Sequence, residues 1–167
     1  MLHFILALLL TTGIPGTTPA VKSYQAMGPS MEPAIHQGDR LGVDTEYYQT
    51  NAFRRGDLVL FPVGEDKIYF KRIIALGGER VRVDGDDVYI NGTKLDEPYL
   101  ADGLKRAAEL GSPYNVRDFA EAVVPKGAVF VMGDNRSNSM DSRDAVVGFV
   151  PYASILGRVV TVQHTDE

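Results

Sequence analysis

From about residue 24 onward the chain is a succession of short β-branched runs punctuated by Gly, Asp, Asn and Pro, with hardly any helical periodicity. That pattern restricts it to a mostly β fold. The strand candidates are DRLGVD (39–44), DLVLF (57–61), KIYFKRIIAL (67–76), RVRVD (80–84), DVYIN (87–91), AVFVMG (128–133) and GRVVTV (157–162). DGDD at 84–87 and NG at 91–92 are tight-turn signals, so residues 80–96 read as consecutive hairpins with Lys94 and Leu95 on the return. LADGLKRAAELGS (100–112) is the one helix-forming stretch, expected as a short surface helix within an irregular excursion from the sheet. A length of 167 residues suits one elaborated β domain and hardly two, so residues 22–167 are read as a single β-rich domain.

The apolar run FILALLL (4–10) is followed by TTGIPG and is too short for the roughly 20 residues that cross a bilayer. Its length suits the apolar centre of a secretory signal, and TPA ending at Ala20 offers small residues for cleavage, yet no Lys or Arg precedes it. Residues 1–21 are therefore read as a short apolar segment, signal-like or a marginal or truncated membrane anchor. A net charge of −5 with mixed signs argues against a nucleic-acid surface. The absence of cysteine removes disulfides, thiol catalysis and cysteine-ligated metal sites. His3, His36 and His164 show no metal-ligand spacing with one another, so neither a metal nor another cofactor is expected, and a histidine-based triad is a poor candidate.

Three places carry potential chemistry. IYFKRIIALGG (68–78) reads as a strand buried on at least one face, yet holds Lys71 and Arg72 side by side. Adjacent strand residues point to opposite faces, so Lys71 shares a side with Tyr69 and Ile73 while Arg72 takes the other. One of the two cations must then face something other than bulk water. GPSMEPAIHQGD (28–39) is a Gly- and Pro-containing loop that holds Ser30, and MGDNRSNSMDSR (132–143) crowds polar groups behind the apolar run AVFV. Taken singly, these are a turn serine, a snorkelling lysine and a solvated loop. Taken together they pair a serine with an amine. Without a usable histidine, a lysine can activate serine if its amine is neutral, which requires its pKa to fall from about 10.4 to about 7, or roughly 4 to 5 kcal/mol. Burial on an apolar strand can supply such a shift, whereas Arg72 stays protonated.

Ser30-Met31-x-Pro33, RGDLVLF (55–61), FKRIIALGGERV (70–81) and MGDNRSNSMDSR, in this order, resemble the successive boxes of the type I signal peptidases, Ser-Lys endopeptidases that remove signal peptides from exported proteins. The resemblance covers roughly residues 24–160, and GDNRSNSMDSR is its most specific part. It implies Ser30 as nucleophile and Lys71 as general base. It implies that Ser139 hydrogen-bonds Lys71, that Asp141 and Arg143 pair to hold the loop, and that Gly133 and Asp134 begin the same supporting turn. Met31, Tyr69 and Phe70 fall where the family builds apolar pockets for small side chains. Where many members carry a serine that serves the oxyanion hole, this chain has Gly28, leaving backbone N–H groups, including that of Ser30, to form the hole. LGGER (76–80) departs from the family's usual Pro-Gly-Asp, which bears on the local turn.

The fold implied is a coiled antiparallel β-sheet or barrel-like domain whose exposed strand edge takes extended substrate. The implied partners are signal-peptide-bearing preproteins cut after Ala-x-Ala and the membrane surface, with the domain on the extracytoplasmic side and no nucleic acid; a monomer is expected. Two alternatives share the scaffold. A self-processing repressor-type peptidase needs an upstream DNA-binding domain and an internal Ala-Gly cleavage site, and ALGG here lies inside the lysine strand. A non-catalytic peptide-binding β domain would leave Ser30 unreactive toward acylating probes.

Overall fold

The computed structural model describes residues 20–165; the readings made for residues 1–19 lie outside them. In chain order the elements are β1 (Val21–Gln25), β2 (Arg40–Asp44), the one-turn helix α1 (Tyr47–Thr50), β3 (Leu58–Val63), β4 (Lys67–Leu76), β5 (Arg80–Asp84), β6 (Asp87–Ile90), β7 (Thr93–Lys94), α2 (Ala101–Glu109), β8 (Phe119–Val123), β9 (Ala128–Met132), β10 (Val150–Pro151) and β11 (Gly157–Gln163). All seven sequence-read strands are present within one or two residues at either end. The turn signals act where they stand: β5 and β6 meet at Asp84↔Asp87, across a turn in which Gly85 takes φ +54°. α2 is the surface helix expected from the sequence, and none of its residues is buried. β1, β8 and the two-residue β10 were not read from the sequence.

The strands form two open antiparallel sheets, one of seven strands in the order β1-β2-β11-β3-β4-β9-β10 and one of four in the order β7-β6-β5-β8. This corrects the expectation of a coiled or barrel-like sheet. Among the described residues β1 pairs only with β2 and the short β10 only with β9, so the two ends of the large sheet do not meet. Closure is replaced by layering. Val81, Val83, Val88 and Ile90 of the small sheet pack against Ile74, Phe130 and Met132 of the large one, which removes apolar surface from water without joining edges.

Two further apolar clusters complete the core. Leu41, Val43, Leu60 and Val159 pack with Ala26, Met31 and Ile35 from the loop after β1, fixing the loop that bears Ser30. Val59, Phe61, Ile73, Val129 and Val131 form the other, with Tyr69 at its margin. β4 is central to everything that follows. It pairs with β3 from Lys67 to Arg72, but with β9 only from Arg72 onward, so residues 67–71 carry an edge that β9 does not cover.

Candidate active site

Ser30 sits in a turn whose apolar neighbours anchor it from beneath. Met31 is 3% exposed and belongs to the core. It is not among the residues that line the groove over Ser30 and Lys71. The carbonyl oxygen of Ser30 accepts from Asn135 N at 3.2 Å, and that of Pro29 accepts from Asn135 Nδ2 at 3.1 Å, which ties the turn to the loop after β9. Among the described residues, the Ser30 N–H has no hydrogen-bond acceptor. Gly28 adopts φ +81°, a left-handed conformation that glycine tolerates and a serine would strain.

Lys71 lies on β4 and is 3% exposed. Its Nζ donates to Ser30 Oγ at 2.9 Å and to the Phe70 carbonyl oxygen at 2.9 Å, and lies 5.0 Å from the centre of the Tyr69 ring. Burial drives its pKa down to about 8, against the opposing pull of the Asp141 and Asp134 carboxylates. Both adjacent cations thus turn away from bulk water. Arg72, on the opposite side of the strand, is held by Asp134, with Nη2 to Oδ2 at 2.6 Å.

The loop after β9 is braced by buried ion pairs. Arg143 reaches Asp141 through Nε at 2.8 Å and Nη2 at 2.7 Å, and neither side chain is exposed. Burial works to raise the Asp141 pKa, but the Arg143 guanidinium and the Gly133 N–H, which donates to Asp141 Oδ2 at 3.0 Å, outweigh it and keep the carboxylate ionised. Gly133 is required by space, since a Cβ there would overlap Ser139 Oγ and the Ser30 carbonyl oxygen. Ser139 Oγ is buried beside the Asp141 carboxylate, whose pKa its hydroxyl helps to lower. The bond to Lys71 implied by the resemblance is absent from this geometry.

Several supporting groups were not singled out from the sequence. Arg136 pairs with Glu97 at 2.5 Å, both nearly fully buried, and Tyr114 Oη donates to the Asp134 carbonyl oxygen. Asn115 accepts from Arg143, and Arg117 contacts both Asp144 and the Ser139 carbonyl oxygen. The segment between β7 and β8 is thus a clamp on the loop after β9, a role that its mixed polar composition does not announce.

A groove of about 240 Å³ opens over the serine and lysine, lined by residues 27–30 on one side and 68–71 on the other, with Asn138 and Met140 at one end. Tyr69 and Phe70 are among the residues that line it. Its rim is apolar and exposed at Met27, Ile68 and Met140.

The sequence matches the profile of the family described as "Signal peptidase, peptidase S26" over residues 1–163. The chain belongs to this family. It is 46% identical over 123 residues to Signal peptidase I S of Bacillus subtilis, covering 74% of this chain and 66% of that protein. With Signal peptidase IB of Staphylococcus aureus it shares 36% identity over 146 residues, 83% of this chain and 75% of the relative. The crystal structure of a signal peptidase I from Enterococcus faecalis superposes with a TM-score of 0.57 at 39% identity, covering 66% of this chain and 98% of that one. The chain spans about two thirds of the length of the first of these S26 relatives. Among the described residues, no helix is long and apolar enough to cross a membrane.

Proposed function

We propose that this S26-family chain is a serine endopeptidase that removes signal peptides from exported preproteins after small residues, with Ser30 as nucleophile and Lys71 as general base. The observation that carries the reading is the 2.9 Å contact from Lys71 Nζ to Ser30 Oγ in a groove where burial brings the amine to about 8. In the neutral form, Lys71 takes the Ser30 proton as Oγ attacks the scissile carbonyl carbon. It then gives that proton to the departing amine, leaving an acyl-enzyme that water hydrolyses. The Ser30 N–H, which has no acceptor among the described residues, is a donor available to the oxyanion. Asp141, Arg143, Gly133 and Asp134 hold the lysine's surroundings rigid.

The open edge of β4 at residues 68–71 supports strand addition as the binding mode, with substrate lying between that edge and residues 27–30. The exposed Met27, Ile68 and Met140 around the groove support a site that works against a membrane surface on the extracytoplasmic side, where signal peptides emerge.

A peptide carrying Ala-x-Ala before the scissile bond, followed across pH, tests the reading. Turnover rises with pH along a limb near 8, and both Ser30→Ala and Lys71→Arg fold but lose at least about 10⁴-fold in kcat. Retained turnover in the arginine variant removes Lys71 from the chemistry. A folded wild type whose Ser30 resists acylating probes and cuts no such peptide is instead a peptide-binding domain.

A further inference from the structure

The groove over Ser30 leaves one cluster of chemically capable side chains unused. Gln163 of β11 pairs with Arg40 of β2, and this antiparallel register carries His164 alongside Asp39, 125 positions away in sequence. His36 reaches the same carboxylate from the preceding turn, in which Asp39 N donates to the His36 carbonyl oxygen at 3.2 Å. The two imidazole rings sit edge to face with centroids 5.6 Å apart. Asp39 is 1% exposed, whereas His36 and His164 are 55% and 59% exposed. The carboxylate is buried, and both rings reach solvent.

Both imidazoles converge on one oxygen. Asp39 Oδ2 lies 2.9 Å from His164 Nδ1 and 3.8 Å from His36 Nδ1, and the three candidate ligand atoms fall within 4.8 Å of one another. A tetrahedral Zn²⁺ with bonds of about 2.0 to 2.1 Å sets its ligand atoms about 3.3 Å apart, a value the two observed separations straddle. Asp39 is oriented by backbone donors, His36 N at 2.7 Å to Oδ2 and Thr165 N at 3.2 Å to Oδ1. Two nitrogens and one carboxylate oxygen suit zinc and its transition-metal neighbours rather than Mg²⁺ or Ca²⁺.

We infer that His36, Asp39 and His164 form a Zn²⁺-binding clasp that joins the loop bearing Ser30 to the end of β11, with water as the remaining ligand. The sequence conceals it because the ligands come from neighbouring strand ends rather than from one short motif. The site is distinct from the Ser30–Lys71 groove, and its ligands take no part in the proposed chemistry.

Isothermal titration of the EDTA-treated full chain with Zn²⁺, alongside thermal melts, tests the clasp. The wild type binds one Zn²⁺ and gains about 5 °C in Tm at saturation, reversed by EDTA, while Mg²⁺ does nothing. His36→Gln and His164→Gln each weaken binding by at least about 100-fold with unchanged far-UV circular dichroism, whereas His3→Gln binds as the wild type does. No binding by the wild type overturns the inference, and so does binding that survives in both glutamine variants.

Discussion

Arg72 and Asp134 are locked together by two hydrogen bonds, Nε to Oδ1 at 2.8 Å and Nη2 to Oδ2 at 2.6 Å, one residue along the strand from Lys71. The arrangement explains why two adjacent cations are tolerated in an apolar strand: one is desolvated and loses proton affinity, the other is desolvated and neutralised. Removing the carboxylate leaves the guanidinium largely buried and unmatched. Asp134→Asn is expected to destabilise the protein by about 3 kcal/mol in urea unfolding, and Arg72→Met combined with Asp134→Leu to recover most of that loss. Because the Asp134 charge raises the Lys71 pKa, the asparagine variant also moves the rising limb of the activity profile to lower pH.

The Lys71 amine should leave a signature in stability as well as in rate. It titrates at about 8 in the folded state against an ordinary value of 10.5, so between those two pH values the unfolded chain holds a proton that the folded chain has released. Stability therefore rises with pH across that window, and below about 8 the folded state carries the full penalty, on the order of 3 kcal/mol. Lys71→Met abolishes cleavage while unfolding at higher urea than the wild type at pH 7, and this advantage shrinks as pH approaches 10.5. A methionine variant no more stable than the wild type at pH 7 contradicts a strongly desolvated ammonium.

How much of this was legible beforehand follows from the range over which each signal acts. β4 and the β5–β6 hairpin announce themselves because β-branched residues and an Asp-Gly turn act locally. β8, FAEAV, lacks such a pattern and becomes a strand only because β5 offers it an edge. Sheet closure was misread because it depends on whether β1 and β10 meet, which no local pattern encodes. Within the site, Ser30, Lys71 and the Asp141–Arg143 pair stand in recognisable boxes. Glu97, Tyr114, Asn115 and Arg117 do not, since their partners lie 20 or more positions away. Met31, which the resemblance places among the pocket residues, has its side chain in the core because neighbouring a loop serine does not fix which way a side chain turns; Met27 and Met140 line the groove.

At Gly133 the loop after β9 comes close against the turn bearing Ser30. A methyl group there overlaps both Ser139 Oγ and the Ser30 carbonyl oxygen, one of them rigid backbone, so the turn has to move. Gly133→Ala is expected to cost about 2 kcal/mol of stability and at least about 100-fold in kcat/KM, because displacing Oγ by a fraction of an ångström spoils its approach to Lys71. A crystal structure of the variant would show the Ser30–Lys71 separation lengthened from 2.9 Å.

Ser139 separates a packing role from a catalytic one. Its buried hydroxyl is set against the Asp141 carboxylate in a weak contact at most, so deleting it removes a desolvated polar atom at little cost. Ser139→Ala should leave Tm within about 2 °C of the wild type, or slightly above it. Catalytic hydrogen bonds in free enzymes commonly tighten only when substrate is bound, and Ser139 sits beside Gly133 and the Ser30 turn, in the loop whose Asp134 and Asp141 act on Lys71. If its hydroxyl turns to Lys71 in the substrate complex, the alanine variant loses about 10- to 100-fold in kcat with KM little changed, and threonine, which keeps the hydroxyl, restores part of it. Equal loss in both variants would instead assign Ser139 to packing against Gly133.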